Sequence, residues 1–225
     1  MREFNLLEDY PKPKEVRKVS RNLRNIQSRI IASYRDKEFY DGSRNNGYGG
    51  FKYDGRWKKI AQQICAEYKL NDDSSILQIG CEKGYFLHDL KDFLPKAKIT
   101  GIEKSSYAIK NCIKTVENNI TKSDYAFLKF KDKTFDFILA IGVIYSLTLE
   151  DALRCLKEIQ RVGKGKSFIT LASYTNEEDY WLFKDWTILG TLLLKENEWR
   201  EILDHCKYTG DYNFTNAKKL NLTRV

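Results

Sequence analysis

The sequence predicts an α/β fold: a doubly wound, Rossmann-like parallel sheet with an N-terminal helical extension. Three observations predict it. Strand-like apolar runs alternate with helical patterns through most of the chain. FDFILAI at Phe135–Ile141 is apolar without interruption, as strands buried on both faces are. SILQIGCEKGYFLHDL at Ser75–Leu90 reads as a strand, a glycine-bearing turn and a helix, which sets backbone N–H groups beside a crevice at the strand's carboxyl end.

The elements follow in order. From Met1 to about Lys37 the chain reads as helical after Pro11 and Pro13, because Val16, Val19, Leu23, Ile26, Ile30 and Ile31 recur at three- and four-residue spacing. Such an amphipathic helix packs on its own domain or on a dimer partner. Phe39–Trp57 loses all periodicity and is dense in glycines, aromatics and polar groups. It reads as an ordered lid near a ligand or as a loop packed on the first helices. A helix is expected from Trp57 to Tyr68, a strand at Ser75–Gly80 and a helix at Gly84–Leu94. Next come a strand at Lys98–Glu103 and a helix from Ser105, its cap, to about Asn118. A short third strand is expected near Tyr125–Leu128 and a fourth at Phe135–Ile141. A helix at Leu149–Val162 and a strand at Ser167–Ala172 come next. After Ser173 stands an insertion rich in Trp and Tyr. A helix at Glu196–Cys206 and a last strand near Tyr212–Thr215 close the chain. Two regions result: residues 1–57, the helix and lid, and residues 58–225, the sheet domain.

The 225 residues, 42% of them hydrophobic, are enough for one real core. No apolar run nears the roughly 18 residues of a spanning helix, and MREFNLLEDY lacks a signal-peptide core, so no membrane partner and a cytoplasmic location are expected. The five cysteines form no Cys-x-x-Cys pair, which argues against zinc and for buried free thiols. The net charge of +8 is concentrated at Lys12, Lys14, Arg17, Lys18, Arg21, Arg24 and Arg29, and in the tail at Lys218, Lys219 and Arg224. These would form a solvated face or meet an anionic sugar phosphate or nucleic acid. No stacked-aromatic RNA signature accompanies them, so nucleic acid is disfavoured as a partner.

Gly80 and Gly84 allow a tight turn and close approach to a ligand. About twenty residues on, KITGIEKSSYAI ends a strand in Glu103, where a carboxylate can accept from two ribose hydroxyls. With Asp124–Tyr125 and FDFILAIGVIYSL, these landmarks resemble the class I S-adenosylmethionine (SAM)-dependent methyltransferases. The resemblance implies six or seven strands, the last antiparallel, and SAM as cofactor. It places Gly80, Glu82 and Gly84 under the methionine moiety, Glu103 on the ribose, and Asp124 and Tyr125 at the adenine. The loop after the fourth strand would face the acceptor. Glu103 as a helix cap and Asp124 as a turn residue stay open as alternatives, and His88 and His205 read as structural.

Two departures stand out: the family usually has an acid where this chain has Gln78 and a glycine where it has Glu82. The Glu82 carboxylate would clash with SAM, repel its carboxylate or grip its amino group. Similar members carry Asn and His where this chain has Gly142 and Tyr145, and Tyr145 replaces a natural general base. The Phe39–Trp57 loop and the closing segment resemble a bacterial subgroup of sugar and surface-polysaccharide enzymes. The expected function is therefore methyl transfer from SAM to a small polar acceptor, a sugar or sugar phosphate, with Tyr145 catalytic and Tyr48, Tyr53 and Arg56 on the acceptor side. The alternative is a non-catalytic methyltransferase-like subunit, a homodimer or the partner of an active paralogue. A third reading is an RNA methyltransferase that uses the basic N-terminal region.

Overall fold

The computed structural model describes residues 1–11 and 15–225. Lys12 and Lys14, counted in the basic excess, and Pro13 lie outside the described residues. The central sheet has six strands. They are β2 (Ser75–Ile79), β3 (Lys98–Glu103), β4 (Ile120–Lys122), β5 (Phe137–Ala140), β6 (Ser167–Ala172) and β7 (Asp211–Thr215), in the spatial order β4-β3-β2-β5-β6-β7. Every pairing is parallel, from β3–β4 at one edge to β6–β7 at the other. The order reverses between β2 and β3 on one side and β5 on the other, where such sheets open a crevice at the carboxyl ends of their strands.

Both faces are covered because the strands alternate. Phe137 and Leu139 join Ile76, Ile99 and Phe168 under helices α3 (Lys58–Tyr68) and α4 (Tyr85–Phe93). Ile138 and Ala140 join Leu77, Ile79, Ile169 and Leu171 under α6 (Leu149–Val162) and α8 (Glu196–His205). Thr148 caps α6 by accepting from Asp151 N. On this face Trp199 is fully buried and its indole N–H donates to the Ala172 carbonyl at 2.7 Å. Asp136 accepts from Ser75 N and binds Lys164, both at 2.8 Å, so it orients backbone.

Four expectations are corrected. The last strand is not antiparallel: β7 lies directly beside β6 and parallel to it, in register from Phe168–Asp211 to Ala172–Thr215. No returning hairpin separates the two. The chain instead leaves the sheet and ends in β8 (Leu222–Arg224), which pairs in parallel with β1 (Arg17–Val19) as a separate ribbon. The N-terminal extension is therefore not one helix. Val19 is fully buried in β1, and the helix α1 (Ile26–Ser33) starts only at the Asn25 cap, so the apolar stripe is split and Ile26 faces solvent. A short α2 (Lys37–Tyr40) follows.

The third strand lies at Ile120–Lys122, before Asp124, and not at Tyr125–Leu128. Asp124 turns the chain by accepting from Ala126 N at 2.7 Å, which sends Tyr125 inward. The helix after Ser105 stops early. The segment α5 (Ser106–Lys110) gives way to a 3₁₀ turn at Lys114–Asn119, because Ile113 N is drawn to the Lys83 carbonyl at 2.9 Å. No described helix is long and apolar enough to cross a membrane.

Trp199→Ala removes a fully buried aromatic and orphans the Ala172 carbonyl, and it is expected to cost about 3–5 kcal/mol of stability. Chemical denaturation of the variant beside wild type reads this directly.

Candidate functional site

The turn after β2 is built on residues with left-handed backbone. Gly80 has φ +71°, and a Cβ there would sit 2.6 Å from Val143 Cγ2, so only glycine fits. Glu82 also has a positive φ, +53°, a strained conformation for a residue with a side chain. Gly84 stands at the start of α4 with φ +77°.

Glu103 at the end of β3 has no exposed surface. Its two oxygens accept from Glu82 N at 3.0 Å and Ser105 N at 2.8 Å. One carboxylate thus fixes the turn after β2 and the start of α5, whose cap Ser105 accepts from Ala108 N. Tyr125 lies beside it and accepts from Lys104 N at 3.3 Å. Glu103 is both a structural tie and the acid that the sequence places at a ribose.

The segment from Arg35 to Tyr53 lies across this turn as a strap. Tyr48 donates its hydroxyl proton to Glu82 Oε1 at 2.5 Å. Lys83, almost fully buried, holds both oxygens of Asp41 at 2.8 and 2.7 Å and the Phe51 carbonyl at 3.0 Å. Tyr107 donates to Asp41 at 2.8 Å and Tyr85 to the Phe51 carbonyl at 2.7 Å. Phe39, Tyr40 and Ala32 close the packing against Ala108. Ser105 donates its hydroxyl to the Arg35 carbonyl, and the partly buried Arg35 guanidinium reaches Ser146 at 3.4 Å. Burial opposes the charge on Arg35, but Tyr125, Glu103, Tyr40 and Glu82 outweigh it and raise its pKa.

The electrostatics centre on Glu82. Burial pushes its carboxyl up to about 7 and the charge of Glu103 adds to this, against the hydrogen bond from Tyr48 and the fields of Arg35 and Lys83. In the loop after β5, Gly142 N donates to Thr170 Oγ1 at 2.8 Å. The Tyr145 hydroxyl stands beside Gly142, and burial, then Glu82, push it up to about 12.

The structure thus gathers Gly80, Glu82, Gly84, Glu103, Tyr125, Tyr48 and Tyr145 around one crevice. Three candidates lie elsewhere. Asp124 is half exposed and pairs with Lys104 at 3.0 Å. Tyr53 donates to Asp89 and its ring meets His88 on the flank of α4. Arg56 is held by Asp54 and the Tyr10 hydroxyl at the foot of α3. Gln78 is buried and its Oε1 has no partner. Sequence reasoning missed Arg35, Tyr40, Asp41 and Lys83. Only Lys83, inside the glycine turn, carried a local signal.

With this geometry in view, the comparisons are informative. Residues 77–171 match the family described as "Methyltransferase domain". This segment is similar to the methyltransferase domains of that family. Over 112 residues the chain is 32% identical to the tRNA U34 carboxymethyltransferase of Nautilia profundicola, and over 115 residues 30% identical to that of Campylobacter curvus. These matches take in 47% and 48% of this chain but 34% and 37% of the relatives, so the chain spans little more than a third of their length. The fold is that of the YcgJ protein from Bacillus subtilis, with a TM-score of 0.54, 15% identity and coverage of 65% and 66% of the two chains. It is also that of a chain in a Haloferax volcanii complex containing the Trm112 methyltransferase activator, with a TM-score of 0.51, 19% identity and coverage of 68% and 72%.

SAM is the cofactor of this family. The chemistry of the donor set here suits an adenosyl group: a glycine turn open to close approach and a strand-end carboxylate. The space beside them is filled by this chain's own Tyr48, Tyr40 and Arg35, and both Glu103 oxygens are engaged.

Glu82 gives a pH test. Its folded pKa lies above the ordinary 4.5, so the folded state holds the proton more tightly and stability falls as pH rises from about 4.5 through about 7. Glu82→Gln removes this dependence. The variant's stability relative to wild type should therefore rise between pH 5 and 8, by on the order of 1–2 kcal/mol after discounting for water at the crevice. Parallel denaturation curves at the two pH values measure it.

Proposed function

We infer that this chain is a SAM-dependent methyltransferase acting on a small polar acceptor, a sugar or sugar phosphate, and that the Arg35–Tyr53 strap is its gate. The observation that carries the reading is the convergence of the Gly80–Gly84 turn, Glu103 and the Gly142–Tyr145 loop on one crevice at the switch point of the sheet. SAM supplies a methyl group on a sulfonium centre. The protein's part is to hold an acceptor atom in line and to remove its proton. Tyr145, pushed up to about 12, stays protonated near neutral pH and suits a hydrogen-bond donor. Glu82, held at about 7 by burial under the closed strap, would ionise beside the amino group of SAM and serve as its partner. The glycine turn would carry the methionine end and Glu103 the ribose hydroxyls, after the strap lifts Tyr48 from Glu82 and Arg35 from Ser146. Asp124 and Tyr125 follow at the adenine side. Tyr53, on the flank of α4, and Arg56, at the foot of α3, would meet an acceptor only through movement of the strap.

The filled crevice and the strained Glu82 favour a second reading, a non-catalytic methyltransferase-like subunit that supports an active partner. The named relatives add a tRNA acceptor to the candidates, to be assayed beside sugar phosphates.

SAM titration calorimetry separates the readings. On the enzyme reading wild type binds SAM. Glu103→Gln, which keeps the shape but weakens a charge-assisted acceptor, lowers affinity about tenfold. Glu82→Gly lowers it too, as a partner of the amino group is lost. On the subunit reading wild type shows no heat, and Glu82→Gly relieves the strain and creates weak binding.

A further inference from the structure

Outside the crevice, a group of arginines makes no ion pair among the described residues. The β1–β8 ribbon sets Arg17 opposite Leu222 and Val19 opposite Arg224, so Arg17 and Lys18 lie on one ribbon with Arg224 of the tail. Val19 and Leu222 pack with Leu182 of α7 (Glu177–Trp186) beneath it. The Arg17 guanidinium lies 5.6 Å over the Trp186 ring. Arg24 donates to the carbonyls of Trp186, at 3.3 Å, and Arg44. Arg29 donates to the carbonyls of Arg24 at 2.9 Å and Lys184 at 2.7 Å. Arg44 donates to those of Gly47 at 3.2 Å and Tyr48 at 2.9 Å.

Every one of these acceptors is a neutral backbone oxygen. Among the described residues none of the four arginines forms an ion pair, whereas Arg2, Arg56, Arg154, Arg161, Arg200 and Arg224 all do. Asp185, whose field reaches Arg29, is already engaged by Arg224. Burial and then the charge of Arg44 lower the pKa of Arg17. Burial and then Arg44 and Arg29 lower that of Arg24. Like charges have thus been drawn together and partly desolvated. Backbone carbonyls fix the planes of three guanidiniums and an indole face fixes the fourth, leaving N–H donors free to fork onto a planar or tetrahedral anion.

We propose that Arg17, Arg24, Arg29 and Arg44 form a phosphate-binding site beside the crevice. Phosphate matches the donor geometry and supplies the missing negative charge. The site also has a route to the crevice: Arg44 holds the Tyr48 carbonyl, and the Tyr48 hydroxyl holds Glu82. The phosphate comes from a phosphorylated acceptor, either a sugar phosphate or an RNA backbone. Its role in acceptor recognition rests on the methyltransferase reading, whereas the binding of phosphate itself does not.

The test is direct binding to the full chain without SAM, with glucose 1-phosphate and a ten-residue single-stranded oligouridylate as probes. Wild type should bind at least one of them. Arg17→Gln should weaken that binding about tenfold, the loss of one charge-assisted contact. Arg17 suits the test because its side chain makes no hydrogen bond among the described residues, so folding is spared. Arg44→Gln should act likewise, and Arg154→Gln, at an ion-paired arginine elsewhere, should change nothing. Binding of the sugar phosphate at 0.15 M salt assigns the site to a small acceptor. Binding of the oligonucleotide alone, with a steep salt dependence that flattens in Arg17→Gln, assigns it to RNA. The proposal is overturned if neither probe binds, if both variants bind like wild type, or if Arg154→Gln loses as much. SAM titration of Arg17→Gln, at a side chain that makes no hydrogen bond with the strap among the described residues, keeps the two readings apart, because loss of phosphate binding there should leave SAM affinity untouched.

Discussion

A carboxylate without water contact stands at the carboxyl end of β3, and the geometry of the crevice depends on it. Burying such a charge costs several kcal/mol unless hydrogen bonds and a countercharge offset the loss. Glu103 receives both. Its oxygens take the backbone N–H groups of Glu82 and Ser105, two donors that a turn and a helix start would otherwise leave unmet. Arg35 supplies positive charge from the strap. The same contact fixes the peptide that leads into the left-handed backbone at Glu82.

The strap is held at several points of different chemistry. The Lys83–Asp41 pair is shielded and braced by Tyr107 and the Phe51 carbonyl. The Tyr48–Glu82 contact is the tunable one, since it joins a phenol to a carboxyl that gains or loses its proton near neutral pH. Local opening at Tyr48 therefore needs far less disruption than removal of the whole strap, and sub-global opening of this kind is ordinary for segments over binding sites.

Much of the sheet was legible in the sequence. Lys98–Glu103, Leu149–Val162 and Ser167–Ala172 fall where periodicity puts them, because burial on one or both faces dictates their composition. Glu103 was legible too, from its place at a strand end. What stayed hidden is non-local. β1 is a strand only because β8 lies beside it, about two hundred residues away, and its apolar spacing mimics a helix. The break after α5 comes from a bond to Lys83, and the third strand is too short and too exposed at Thr121 and Lys122 to announce itself. Arg35 gave no signal, since nothing in its neighbours shows that it would reach Ser146 with its charge in the field of Glu103.

The charge balance of the crevice bears on how the strap could work. In the closed form the field of the partly buried Arg35 guanidinium reaches both Glu82 and Glu103, yet burial and then the charge of Glu103 let Glu82 hold its proton up to about pH 7. Lifting Arg35 away would leave Glu103 uncompensated, which opposes opening. On the methyltransferase reading a ligand bearing positive charge at its sulfonium and amino group restores the balance that Arg35 gives up. The strap and such a ligand then compete for the same carboxyls, so affinity reflects the difference between two cations and not the absolute strength of either. On the subunit reading Arg35 never leaves, and the same charge balance makes the closed crevice a permanent part of the core.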